Sequence, residues 1–158
     1  KEGLNYQEAE PPYIASVDLG ENQYAPEDVT NWEAEYTLAE LTNLLAAAGI
    51  NVGEIQDLKI TERGPTDRIT QLEIVGTNGT ETMHGAEFRI AVDSTKMRST
   101  LVTDWQVNDG VLTIGGTGYG HGVGLSQWDA FKMAKEGKSP QEIATSFFKD
   151  VEIKKLYD

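Results

Sequence analysis

The sequence predicts an α+β fold: a twisted antiparallel sheet with three helices, one of them following a glycine-rich strand. Three observations predict it. Apolar residues recur with period two through 54–92 and again at 105–114, the pattern of half-buried strands. Three Ser/Thr-x-x-Glu/Asp capping boxes precede apolar residues at helical spacing. Between the last strand and the second of those helices, "GTGYGHGVG" at 116–124 puts glycine at every second position.

In chain order, residues 1–31 are rich in Pro, Asn, Asp and Glu and read as an extended lead-in with one short strand at 13–17. Thr37-Leu-Ala-Glu40 caps a helix over 38–48, in which Leu38, Leu41, Leu44, Leu45 and Ala48 share a face and Gly49 supplies the stop. Leu58 with Ile60, and Leu72 with Ile74, mark strands separated by the turn signals "RGPTD" and "TNGT". The "FRIAV" segment, 88–92, continues this sheet. "WQVNDGVLTI", 105–114, is a hairpin turning at Asn108-Asp109-Gly110. Ser126-Gln-Trp-Asp129 opens a second helix with Trp128, Phe131 and Ala134 on one face, ended by Gly137. Ser139-Pro-Gln-Glu142 opens a third, with Pro140 at its first position. "VEIKKLY", 151–157, reads as a closing strand. The whole is one domain portion, a lead-in (1–31) and an α+β body (32–158).

Composition narrows the function. There are no cysteines, and His84 and His121 are the two histidines, so a zinc site within this chain is not expected and neither is any other cofactor. The net charge is −13, with 12 acidic side chains against Lys1 alone in residues 1–57. Nucleic acid is excluded as a partner, because phosphate affinity needs clustered Lys and Arg. No apolar run approaches the roughly 20 residues of a membrane span.

In an extended chain alternate side chains face opposite ways, so Gly116, Gly118, Gly120, Gly122 and Gly124 would leave one face bare while Thr117, Tyr119, His121 and Val123 line the other. Phosphate-binding readings fail on spacing: wherever the first two glycines of GxGxxG fit, the last falls on His121, Val123, Leu125 or Gln127. The tail "EGKS" has Lys132 where a P-loop needs its first glycine, and Ser126 has Trp128 where a nucleophile elbow needs its second. What remains is a candidate binding surface of Tyr119, Gly120, His121, Gly122, Gly124, Ser126 and Gln127. Each has a plain structural alternative: Ser126 as an N-cap, Tyr119 as packing, His121 as a hydrogen-bonded imidazole, the glycines as close packing of strand on helix.

"GYGHGVGLSQWDAFKMAKEGKSPQEIATSFFKDVEIKKLYD" resembles the C-terminal signature of the stage II sporulation protein D family, which includes LytB-type amidase enhancers. Upstream, "PPYIASVD", Trp32 before "TLAEL", Gly49, "VGEI", Arg63 ahead of "TDRI", "GAEFRIAV" and "MRSTL" fall in that family's order. Asp129, Leu125 and the Phe147-Phe148 pair depart from its pattern of Gly, Met and Tyr-Tyr.

The resemblance implies a peptidoglycan lytic transglycosylase acting on glycan strands denuded by an amidase, outside the cytoplasm, in the cell wall or the forespore intermembrane space. One carboxyl group would protonate the leaving oxygen and then deprotonate the MurNAc 6-hydroxyl that closes on C1. The family's acidic residue lies in an N-terminal stretch without counterpart here, so no catalytic residue is expected in this chain. The expected role is the substrate groove; the alternative is a noncatalytic module that binds glycan or modulates an amidase. Arg63, Arg68 and Arg89 are candidates to pair with MurNAc lactyl carboxylates. Glu87 and Asp93 would be the first acids to test.

Overall fold

The computed structural model describes residues 3–5, 11–14, 16–20 and 22–157. The chain forms two compact units, a larger one of Lys1–Tyr6 and Glu27–Gly122 and a smaller one of Gln7–Pro26 and Val123–Asp158.

The larger unit opens with a single helical turn, α1 (Glu27–Thr30). In β1 (Trp32–Thr37) Trp32, Ala34 and Tyr36 are buried between exposed Glu33 and Glu35, a period-two signal that the sequence reading passed over. Helix α2 (Leu38–Ala47) follows, with the expected capping box: Thr37 Oγ1 accepts from the Glu40 N–H at 3.1 Å, and Glu40 Oε2 accepts from the Thr37 N–H at 2.8 Å. Its Leu41 and Leu45 are fully buried, each worth about 1.5–3 kcal/mol against exposure.

Strands β2 (Ile55–Arg63), β3 (Ile69–Gly76) and β4 (Gly79–His84) form one antiparallel sheet in the order β2-β3-β4, turning at the two expected signals. The expected "FRIAV" strand is instead helix α3 (Gly85–Ala91), capped by His84, whose Nδ1 accepts from the Ala86 N–H at 3.1 Å. Gly85 is where backbone meets backbone: a Cβ there would lie 2.2 Å from the Ile69 carbonyl oxygen. Strands β5 (Val102–Asn108) and β6 (Val111–Gly116) make the expected hairpin and pair with β1 in the order β1-β6-β5. Leu58, Ile69, Leu72 and Ile74 from one sheet, Leu112 and Ile114 from the other, and Phe88 of α3 are all fully buried in one core. Trp105 Nε1 donates to the Leu58 carbonyl at 3.0 Å, and its ring lies 5.7 Å from that of Phe88.

The smaller unit holds α4 (Gln127–Lys135) and α5 (Pro140–Ser146). Against them lie residues of the lead-in: the Tyr13 and Phe148 rings are 6.5 Å apart, and Tyr24 meets Phe131 edge-on at 5.6 Å. Ser139 and Glu142 form the expected capping box of α5. At α4 only half of one exists. Ser126 Oγ accepts from the Asp129 N–H at 3.3 Å, but Asp129 Oδ1 accepts from Asn22 Nδ2 at 2.9 Å rather than turning back on the cap. Residues 151–157 form no strand, nor do 13, 14, 16 and 17; Ala15 lies outside the described residues. The architecture is α+β and antiparallel, with all three expected helices, two short additional ones, and the strands divided between two sheets.

Candidate functional site

The glycine track is not an extended strand. β6 ends at Gly116, packed so closely on Trp32 that a Cβ would sit 2.3 Å from the indole Cζ2. Beyond it Gly118, Gly120, Gly122 and Gly124 have φ of +77°, +95°, +71° and +89°. What alternates is therefore conformation: every second residue takes a left-handed backbone that glycine adopts without a Cβ penalty. The bare face expected from extended geometry is absent. Space divides these glycines further. Nothing lies within 4 Å of the Cβ position at Gly120 or Gly124, whereas at Gly122 the Arg68 guanidinium stands 2.4 Å away.

In the larger unit the track is fastened from below. Thr117, Gly118 and Gly120 donate their N–H groups to the carbonyls of Leu101 (3.0 Å), Val29 (2.7 Å) and Arg98 (2.8 Å). Buried Ser99 donates its hydroxyl to the Thr117 carbonyl and accepts from the Leu101 N–H at 3.0 Å. Arg98 is itself anchored to Asp28 by a 2.8 Å ion pair and by a bond to that residue's carbonyl. These fastenings, Arg98 and Ser99 above all, were not foreseen; "MRST" carries no local signal for contacts that reach back 70 residues.

On this anchored backbone Tyr119 is 58% exposed, and His121 and Gly122 are exposed with it. Arg89 donates Nη2 to the Ser94 carbonyl at 3.0 Å, while its Nε is buried with no hydrogen-bond partner. Burial pushes its guanidinium below the ordinary value, and the Tyr119 phenol opposes that shift. The structure thus brings Tyr119 and Arg89 into one electrostatic neighbourhood, and Gly122 and Arg68 into contact. Arg63 is occupied otherwise: its Nη1 donates to the Asp67 carbonyl at 2.7 Å and lies 3.7 Å from that carboxylate, closing its own turn. In the smaller unit, Gly124 is exposed, Ser126 is the N-cap of α4 and Gln127 is its exposed first residue. Phe147 is buried, so a hydroxyl there would face protein.

Both acids singled out for testing are engaged by neighbouring groups. Glu87 accepts from Asn5 Nδ2 at 2.9 Å. The Thr95 hydroxyl and N–H hold the Asp93 carboxyl below the usual carboxylate value, with Lys96 adding to the effect. Among the described residues no group of three or more His, Asp or Glu side chains is placed to hold a metal ion, and no helix is long and apolar enough to cross a membrane.

A family model described as "Domain of unknown function (DUF8618)" matches residues 7–124, three quarters of the chain. The chain belongs to this family. The match runs from the lead-in through the glycine track and stops before α4. Curated relatives of this DUF8618 chain include a Stage II sporulation protein D from Bacillus amyloliquefaciens, 44% identical over 50 residues, which cover 32% of the chain and 14% of that protein. Stage II sporulation protein D of Bacillus subtilis (strain 168) is 28% identical over 145 residues, 90% of this chain and 38% of its own length. An uncharacterized protein of Brachyspira hyodysenteriae is 28% identical over 142 residues, 90% of this chain and 36% of its own. The DUF8618 chain spans between about a seventh and two fifths of the length of the relatives it matches.

Proposed function

We propose that this chain binds peptidoglycan glycan strands, outside the cytoplasm, as the substrate-groove part of a sporulation protein of the stage II D kind. One observation carries the reading. Tyr119 is exposed on a backbone whose N–H groups on either side, at Gly118 and Gly120, are tied to protein carbonyls, and Arg89 lies within its electrostatic reach. An exposed aromatic face on a tied backbone suits a pyranose, because little ordering remains to oppose binding. The relatives named Stage II sporulation protein D support the same setting.

The transglycosylase reaction requires a carboxyl group that first gives and then takes a proton. We assign that step to no residue here; Glu40, Asp93 and Glu142 in particular are unsuited to it, because hydrogen bonds hold them below the usual carboxylate value, which favours the ionised form. The second reading is a noncatalytic module that modulates an amidase.

Sedimentation with amidase-denuded glycan strands tests the proposal. The wild-type chain should co-sediment, and Tyr119→Ala and Arg89→Gln should each weaken the association several-fold with thermal unfolding unchanged. A wild-type chain that stays in the supernatant would falsify the reading. Mass spectrometry of the strands should show no 1,6-anhydro-MurNAc ends above a heat-killed control. An amidase assay with and without the chain separates the second reading from the first.

A further inference from the structure

The two backbone bonds that flank Tyr119 belong to a closed ring. Gly118 donates to the Val29 carbonyl at 2.7 Å and Gly120 to the Arg98 carbonyl at 2.8 Å. Side chains complete the circuit: Arg98 Nη1 donates to the Asp28 carboxylate at 2.8 Å and to the Asp28 carbonyl, and Asp28 is the covalent neighbour of Val29. Residues 28–29, residue 98 and residues 118–120 are thereby linked, with Tyr119 at the middle of the last segment.

Each part of the ring needs the others. The last carbonyls of a helix have no partner within it, and α1 is a single turn without a buried residue, far short of the length at which a helix stands alone. Its carbonyls are satisfied from beyond the turn: that of Glu27 by the Asn31 N–H at 2.7 Å, that of Asp28 by Arg98 and that of Val29 by Gly118. Arg98 therefore fixes the turn that supplies the acceptor on one side of Tyr119 and itself carries the acceptor on the other. Gly118 and Gly120 add no stiffness. Both have left-handed backbones, nothing lies within 4 Å of the Cβ position at Gly120, and glycine has more conformational freedom to lose than any other residue. An exposed ion pair by itself stabilises little. Here the Arg98 side chain is 28% exposed and its guanidinium bonds two oxygens of one residue.

We propose that Asp28 and Arg98 are positioning residues for the binding surface: their pair closes the ring and sets the direction in which Tyr119 meets its ligand. Neither touches that ligand; both act through the backbone of 118–120. The inference takes its ligand from the glycan reading, whereas the ring stands without it.

Backbone ¹⁵N relaxation and sedimentation with amidase-denuded glycan strands, both on the full chain, test the proposal. Arg98→Met removes the guanidinium and leaves the carbonyl that Gly120 uses. It should lower the order parameter at the Tyr119 amide from about 0.85 toward about 0.6, with Leu112 and Ile114 of β6 unchanged. Asp28→Ala, which leaves the carbonyl bond in place, should lower it less, and the double variant should match Arg98→Met, because both changes open the same link. Arg98→Lys keeps a charged donor and should recover much of the lost order. The Asp28 side chain is 67% exposed, so its variant reads the ring even where Arg98→Met disturbs the fold. In sedimentation Arg98→Met should weaken binding several-fold, with no further loss when Tyr119→Ala is already present. Unchanged order at Tyr119 in both single variants overturns the proposal. So does an equal loss of binding with and without Tyr119, which would place Arg98 at the ligand itself. A wild-type chain that does not sediment sinks the glycan reading alone, and the order parameters still decide whether the pair positions Tyr119.

Discussion

Alanine substitution at Gly120 and at Gly122 separates backbone strain from side-chain crowding in the track. Both glycines have positive φ, +95° and +71°, so each alanine carries the left-handed penalty of about 1–2 kcal/mol. At Gly120 nothing else is added, since no atom lies within 4 Å of the new Cβ. At Gly122 the Cβ would stand 2.4 Å from Cζ and Nη2 of Arg68, against about 3.5–4.0 Å for an ordinary carbon contact, so the guanidinium must retreat by more than about 1 Å. Gly120→Ala should lower the melting temperature by roughly 2–8 °C, and Gly122→Ala by more. Arg68→Ala removes the obstacle. In a double-mutant cycle read by urea unfolding, Gly122→Ala and Arg68→Ala should therefore couple by about 0.5–3 kcal/mol, while Gly120→Ala and Arg68→Ala add to within about 0.5 kcal/mol. Equal costs at the two glycines with no coupling to Arg68 would refute the reasoning.

Burial lowers the His84 pKa, with Glu87 opposing. The unfolded imidazole therefore takes up a proton first: stability is fully present above pH ~6.5 and falls as pH drops through the folded value. Urea unfolding at pH 7.5 and 5.5 should show a loss in wild type that His84→Asn, which caps without titrating in this range, reduces; His84→Ala should cost about 1 kcal/mol at pH 7.5. The Thr37 N–H and hydroxyl lower the Glu40 pKa, so the capping box contributes above the ordinary carboxylate value and is lost as pH falls below it. In Thr37→Ala an NMR titration should find the Glu40 pKa raised. Asp129→Ala removes the acceptor for Asn22 and should cost about 0.5–1.5 kcal/mol, with faster amide exchange around Asn22; Asp129→Asn, which keeps an acceptor oxygen, should behave as wild type.

Helices α2, α4 and α5 were legible because their starts are written locally, in Thr37, Ser126 and Ser139 and the residue three places on. Helix α3 was not, because its cap is an imidazole and its first residue a glycine required by the Ile69 carbonyl, a tertiary contact. The Asp129 carboxylate was read as part of a local box, whereas it serves Asn22, a partner no local rule could name. The track was found by its spacing, but its backbone is not the extended one that the spacing suggests. Five glycines in alternation suggested a face stripped for approach, when the more basic property of glycine, tolerance of positive φ, accounts for four of them. Arg63 illustrates the same limit: a candidate partner for a ligand carboxylate, it is bonded to Asp67 within its own turn.

The smaller unit is assembled from the two ends of the chain, with the bonds Asn22 to Asp129 and Lys132 to Leu19 spanning 107 and 113 positions. Synthesis makes these ends at different times. At about 5–20 residues per second, the segment around Leu19 and Asn22 emerges roughly 5–20 s before α4 exists to receive it, an interval in which residues 27–122 can complete both sheets. The early segment must therefore wait in water without its partners. Its run of Pro, Asn, Asp and Glu suits that wait: it offers little apolar surface to a wrong neighbour, and its charge keeps it solvated until α4 is made.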